Sequence, residues 1–577
     1  MPKKPRRRIR RLPISSAFIA ILATIVAAIA MTEANVNVEM GVNTVEGGVE
    51  TSSLSVEAVA KPRNYITQLI FEMEHSLLDL KASDLTISKL EEMAIFIYES
   101  MSISTRNYHS VQHVFDIINH DERLETNPIA VLSACFHDCI YYHVDGGLTP
   151  VQAHLLEGSF ETTAPITNDE EDDEEYQEIY KFFATKREID VDYSNNKSMM
   201  LLQMVETIFG YTPGQHIRVT GDGLNEFLSA IVAVRMLKDH LSVEILAQIV
   251  CCIEATIPFR QANKDTGRTH MEQLYENMKK ARDMYNLQLS DEELVTSVQR
   301  ACLLSNSDVG NFGTTDRLWF LDNTWSLLPE SNESLRNEYV YSVDHFHVAL
   351  HKMYGFFGFL QPEVVFHEFQ GVPAISEMEN LTQECRKNLA FGRTYVGAKL
   401  VGMSLVSAFA VLTGGDAPIS LFTGDLRSTQ RQSGHRKSKK QKAANHLQLS
   451  GPIQAAAFLK NKHKNYHDAL QPPTESLENC DTGVYEILAE GRRSESSFDT
   501  KRSPWSALLY GYLGEEGLNQ ILQEQTLYPM TEERAWNLLR ALPLEPVRFI
   551  CKSISQQAIS RAEKLCEILT QLESENR

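Results

Sequence analysis

The sequence predicts an all-α protein, on three observations. From about Tyr65 onward apolar residues recur at three- and four-residue spacing in run after run. Stretches that alternate apolar and polar residues, as a half-exposed strand requires, are scarce. Helix starts carry capping residues, with Asn127 ahead of Pro128 and Ser290 three residues ahead of Glu293.

The chain opens on MPKKPRRRIRR, followed by an apolar run from Ile14 to Met31 broken only by Ser15, Ser16 and Thr24. A charged start and an apolar segment at the lower limit of a membrane span predict a signal peptide or membrane anchor over 1–31. Ala28-Ile29-Ala30 offers a small-residue cleavage site. The Lys/Arg cluster keeps the start on the cytoplasmic side and sends the remainder across. The expected location is therefore membrane-anchored or secreted, and cytoplasmic if the leader is not used. Residues 32–62, rich in Val, Glu, Gly, Ser and Asn without periodicity, read as a linker.

Helical runs then follow: LIFEMEHSLLDL, LEEMAIFIYESM, VLSACFHDCIYY, LLQMVETIFGY, EFLSAIVAVRML and VEILAQIVCCIEATI. In the stretch Pro128 to Tyr141, Ala130, Ala134, His137 and Asp138 fall on one side at helical spacing. A charge left unpaired there costs several kcal/mol, roughly, so a cation or a hydrogen-bonded partner is expected; a pair satisfied by backbone is the plainer alternative. On DEELVTSVQRACLLSNSD, Leu294, Val298, Ala301, Ser305 and Asp308 share a face, which brings a second carboxylate to the end of a core-facing stripe. LWFLDNTWSLLPE and SVDHFHVALHKMYGFFGFL continue the helices, and Lys399 to Leu412 is an apolar helix too short to span a bilayer, so core burial is expected. Gly414 and Gly415 mark a turn, read as a helix C-cap. The chain thus divides into the leader, the linker, a helical domain over 63–400, a helix and Gly-rich turn over 401–426, a basic linker over 427–450 and a helical accessory region over 451–577. In the last helix Ile554, Ala558, Ala562, Leu565, Leu569 and Leu572 form an apolar stripe that fits core or a helical protein partner.

With 577 residues, 43% of them hydrophobic, the chain can bury a sizeable core and hold more than one domain. A net charge of -21 argues against nucleic-acid binding, which needs a basic surface. Part of the acidity is the run Asp169 to Glu175, DEEDDEE, which reads as a solvated loop. Nine cysteines in a chain of this length do not make a disulfide framework, and Cys135, Cys139, Cys251, Cys252 and Cys302 sit in apolar runs as small hydrophobes.

Upstream of Pro128 lies NYHSVQHVFD, with His109 and His113 one helical turn apart on a predicted helix. Two imidazoles at that spacing can bind one metal, or one can bind while the other faces substrate. His113, His137, Asp138 and Asp308 together offer mixed nitrogen and oxygen ligands, which suit zinc, iron or manganese. Extra carboxylates with waters suit a second, harder ion such as magnesium or manganese. His463, His467 and Asp468 also read HxxxHD, but lie among lysines and asparagines with no apolar helix behind them.

The order YHSVQHVFD, FHD and a late SDVGN resembles the HD-domain metal-dependent phosphohydrolases, and within them the catalytic domain of the cyclic-nucleotide phosphodiesterases. The resemblance covers about Tyr65 to Trp325. It implies a helical bundle holding two divalent metal ions, with His113, His137, Asp138 and Asp308 on the first. Asp138 bridges to the second, and His109 acts as the general acid. Three departures concern the substrate pocket. The family's His four residues beyond the HD histidine is displaced here to His143, its Asp after Ala-Thr is replaced by Ile257, and its closing His by Gln261. Gln370 is the nearest candidate for the purine-selecting glutamine, and Arg260, after Pro258, is a candidate phosphate contact or a helix cap.

A phosphoester is anionic and repels hydroxide, so the chemistry needs divalent ions to neutralise its oxygens and a positioned His to protonate the departing alkoxide. The expected activity is hydrolysis of a cyclic nucleotide or other phosphodiester. Alternatives are a nucleoside-phosphate phosphatase, a di-iron oxygenase, and a non-catalytic membrane-tethered interaction or sensor protein.

Overall fold

Asn127 accepts the backbone N–H of Ala130 and Pro128 fills the first turn, so the helix Pro128–Phe136 starts where its capping residues place it and ends with His137 as its C-cap. Ser290 and Glu293 close a full capping box at the start of Asp291–Asp308. Thr269 and Glu272 do the same for His270–Tyr285. Local signals of this kind define most of the elements.

The computed structural model describes residues 64–575 apart from 160, 163–178, 182–196, 213–214, 219–222, 338–339, 425–471, 495 and 497. The leader, the linker after it, the acidic run, the basic linker and the HxxxHD stretch at His463 lie outside the described residues. The longer helices are α1 (Tyr65–Asp79), α2 (Ile87–Met101), α3 (Val111–His120), α4 (Pro128–Phe136), α5 (Lys197–Ile208), α6 (Leu224–Leu237), α7 (Val243–Ala255), α8 (His270–Tyr285) and α9 (Asp291–Asp308). They continue as α10 (Arg317–Trp325), α11 (Val343–Phe359), α12 (Ile375–Thr413), α13 (Thr482–Glu490), α14 (Pro504–Glu524), α15 (Glu532–Ala541), α16 (Leu544–Gln557) and α17 (Ala562–Glu575). The protein is all-α in class. Three short strands, Glu161–Thr162, Ile179–Lys181 and His216–Arg218, form a small antiparallel sheet in chain order, with Tyr180 opposite both Thr162 and Ile217.

Two hydrophobic cores organise the helices. The first runs from Leu69 to Leu304 and takes in Phe369; the second runs from Val309 to Leu572. Asp308 therefore ends the last helix of the first core, one residue before the second begins. Among the described residues both cores belong to one compact unit.

The second core differs from the sequence expectation. The helix expected over Lys399 to Leu412 is the end of the 39-residue α12, which runs through the boundary expected at 400/401. Charged residues in its first half, among them Glu384, Arg386, Lys387 and Arg393, mask the apolar pattern there. α12 is long and apolar enough to cross a membrane, yet 83% of its most apolar window is buried inside the protein. α11, α14 and α15 pack along it. Gly414 is its C-cap, and Gly414 and Gly415 have φ of 144° and 91°, which favours glycine. The single final helix expected from the stripe is instead α16 and α17, broken at Ala558. Arg561, just after the break, donates to Ala410 O at 3.0 Å and Gly415 O at 2.6 Å. All nine cysteines are free.

Candidate metal centre

Three elements converge beside the C-cap of α4. His113 lies on α3, His137 and Asp138 follow α4, and Asp308 is the last residue of α9. His113 Nε2 is 2.8 Å from Asp308 Oδ1. His137 Nε2 is 2.9 Å from Asp138 Oδ2 and 3.5 Å from Asp308 Oδ1. The ligand atoms of His113, His137 and Asp308 all lie within 4.8 Å of one another. Two donors at right angles about 2.1 Å from an ion are about 3.0 Å apart, so these spacings fit a shared cation.

The His137 tautomer supports that fit. Its Nδ1 is 2.9 Å from the Ala134 carbonyl oxygen, which can only accept, so Nδ1 carries a proton. Nε2 is buried and has no hydrogen bond of acceptable direction, although a carboxylate oxygen stands 2.9 Å away. The ring and the carboxylate aim past each other. Burial disfavours the imidazolium, but Asp138 and Asp308 outweigh it and raise His137 well above its ordinary range. Burial likewise acts against the Asp138 charge, while His137 and His109 outweigh it and hold the carboxyl below the ordinary range. Asp308 is lowered through His113 and His137. A proton on Nε2 has no acceptor in line with it; a divalent cation satisfies the lone pairs and both carboxylates at once.

The chain around Asp138 is fixed from several sides. Arg106, buried, donates Nη1 to the Asp138 carbonyl oxygen at 2.5 Å and forms a two-point ion pair with Asp145 at 2.9 and 2.5 Å. Gln152 Nε2 donates to Cys139 O at 3.1 Å, and Ile140 N donates to Ser229 Oγ at 3.0 Å. These bonds hold the segment that follows Asp138.

His109 is not on a helix. α3 begins only at Val111, and His109 sits in the turn before it, its ring centre 5.9 Å from that of His113. A residue that sequence reasoning missed positions it: Glu330, on the short helix Leu327–Ser331. Glu330 Oε2 is 2.6 Å from His109 Nδ1, and Oε1 accepts the backbone N–H groups of Asn107, Tyr108 and His109 at 2.5, 2.6 and 3.2 Å. Burial lowers His109, but Glu330 first and then Asp138 raise it by more, so the ring is drawn towards imidazolium. Its side chain is 19% exposed against 6% and 1% for His113 and His137, which leaves it the most accessible of the three. Tyr108 ties the same turn to the end of α9, its hydroxyl 3.4 Å from the Asp308 carbonyl oxygen and 3.3 Å from Asn311 Oδ1 just beyond it. Glu226, near the start of α6, was also missed. Burial pushes it up to about 7, and the Asp138 and Asp308 charges act on it in the same direction. Gly223 caps α6, and its φ of 78° and close approach to the Ile257 side chain favour glycine there.

The three weaker sequence candidates are not among the residues that converge on the metal group. His143 is exposed on the short helix Tyr142–Asp145, because Val144 and Asp145 are the residues that helix turns inward. Arg260 is engaged at the end of α7: it donates to Glu254 Oε1 and to the Glu254 carbonyl at 2.7 Å each, to Ile257 O at 3.2 Å, and contacts His270. It is a helix cap with a buried partner, and its charge acts to lower Glu226. Gln370 is exposed in a tight turn with φ of 47°, where its carbonyl accepts from Gln299.

No family model, curated protein or solved structure matches the chain. What these residues define is an all-α protein with a buried His/Asp group able to hold a metal ion, flanked by a His–Glu pair.

Proposed function

We propose that this chain is a metal-dependent phosphoric ester hydrolase of the HD-domain type, acting on a cyclic nucleotide or another phosphodiester. The observation that carries the proposal is the convergence of His113, His137 and Asp308 on one point, with the carboxylate of Asp138 beside it and His109 held at the edge. A divalent ion bound there supplies charge neutralisation at phosphate and a lowered pKa for a bound water. His113, His137, Asp138 and Asp308 are the residues that would hold the first ion, and the acidic side chains around them would favour a second, harder ion. Zinc, iron or manganese suits the first position, and magnesium or manganese the second.

The chain's own contribution is proton delivery and exclusion of water. Glu330 keeps the His109 proton on Nδ1 and favours the charged ring, so Nε2–H is free to protonate a leaving alkoxide. The buried aromatic Tyr108 and the half-buried Tyr141 flank that ring, at 4.7 and 4.6 Å between centres.

Turnover of bis-p-nitrophenyl phosphate and a cyclic-nucleotide panel by the full chain tests the proposal. His109→Ala should lower kcat roughly a hundred- to ten-thousand-fold with bound metal unchanged. Hydrolysis that is indifferent to His109→Ala contradicts it. A purified protein that carries iron and consumes oxygen points instead to the oxygenase alternative.

A further inference from the structure

Two tyrosines stand against the His109 ring, and their hydroxyls are used differently. The Tyr108 hydroxyl is spent within the fold, on the Asp308 carbonyl oxygen and on Asn311 Oδ1. The Tyr141 hydroxyl has no hydrogen-bond partner among the described residues, and its side chain is only half-buried. For packing alone a phenylalanine serves as well as a tyrosine. A phenol left free at the edge of a charged site is a donor for something that arrives from outside.

The fold holds this ring in place from several sides. Asn225 and Ser229, one turn apart on α6, accept the backbone N–H groups of Tyr142 and Ile140 at 3.0 Å each. Those bonds pin the chain immediately before and after Tyr141. Arg106 Cζ lies 5.7 Å from the centre of the Tyr141 ring, and the His109 ring meets it at 4.6 Å and 87°. Arg106 is itself fixed by Asp145 and the Asp138 carbonyl oxygen. A group set before the substrate arrives costs no reorganisation when it reacts.

The hydroxyl also has the right charge. A phenol ordinarily keeps its proton up to about pH 10. Burial raises Tyr141 further, and the charges of Glu330, Asp138 and Glu226 act in the same direction against Arg106. It stays a neutral donor throughout the working range, among carboxylates that repel an anion.

We propose that Tyr141 is a further catalytic residue, whose hydroxyl donates to a non-bridging oxygen of the phosphoryl group while His109 protonates the leaving oxygen. The phenol keeps its proton, and no bond to Tyr141 forms or breaks. The inference rests on the hydrolase reading for the reaction, but the contact itself requires only a phosphoryl oxygen in the site.

Tyr141→Phe in the full chain, with manganese supplied, tests it, because the ring and its neighbours stay and only the hydroxyl goes. Turnover of bis-p-nitrophenyl phosphate should fall about ten- to a hundredfold, and calorimetric titration with inorganic phosphate should show at least about fivefold weaker binding. Bound metal, Tm and the pH limb set by His109 should keep their wild-type values. Turnover and phosphate affinity both unchanged in Tyr141→Phe would overturn the proposal. A displaced pH limb or lost metal would overturn it too, since Tyr141 would then act through His109 or the metal ligands. A wild-type chain that hydrolyses nothing, yet binds phosphate more tightly than Tyr141→Phe, would end the hydrolase reading and uphold the Tyr141 contact. No phosphate binding by wild type at millimolar concentration would overturn the contact.

Discussion

Glu330 Oε2 lies 2.6 Å from His109 Nδ1, and the two residues come from opposite sides of the seam between the two cores. The pair fixes which nitrogen of His109 is free and how readily it carries a proton. Glu330→Gln keeps the side chain's shape and removes the largest influence that raises His109. Its basic pH limb for phosphodiester hydrolysis should therefore move to lower pH, with kcat about tenfold or more below wild type on the alkaline side. A pH-rate profile checks this; superimposable profiles contradict a proton-delivery role.

The same pair links stability to pH. Glu330 is lowered, because contacts to His109 and the backbone N–H groups outweigh burial, so its contribution is present above the ordinary Glu value and lost as pH falls through the folded one. His109 is raised, so its contribution is full below the ordinary His value and lost as pH rises through the folded one. The difference in urea midpoint between wild type and Glu330→Gln should be greatest between about pH 4.5 and 6.5 and shrink on both sides.

Arg106 and Asp145 form a buried ion pair, with side chains 0% and 3% exposed. Arg106→Met strands the Asp145 charge and should cost about 3–5 kcal/mol in chemical denaturation. Adding Asp145→Leu should recover much of that stability. Bound metal and turnover should stay low in the double variant, because the donor to the Asp138 carbonyl is still missing. Recovery of both together would make Arg106 a purely structural residue.

A chain ended at Gly424 should not behave as a folded domain. α14 and α15 pack against α12, where Tyr395, Val396, Leu405 and Phe409 are fully buried. Size-exclusion chromatography and dye binding should report aggregation and exposed apolar surface for the truncated chain, and a monodisperse protein for the full one.

Much of this was legible from local signals. Asn127-Pro128 and the Ser290–Glu293 box define helices that end in His137-Asp138 and Asp308, so cap chemistry and periodicity suffice to bring three of the metal-ligand candidates to helix ends. His109 was misplaced because NYHSVQHVFD reads as one helical run, whereas Ser110 is an N-cap residue and the helix starts after it. Glu330 and Arg106 carried no signal. One sits in a short Pro-containing helix and the other in a turn, and each becomes a buried charge only when distant segments close over it. Arg260 and Gln370 were singled out by type and position along the chain, and neither reveals that a guanidinium is consumed by Glu254 or that a turn faces solvent.

Elemental analysis of the purified full chain, beside Asp308→Ala and Asp138→Ala, tests the metal centre most directly. Wild type should carry at least one transition metal per chain. Asp308→Ala should lose most of it, and Asp138→Ala should lose metal together with phosphodiester turnover. A wild-type protein free of transition metal, with turnover unchanged in Asp138→Ala, would contradict the central claim.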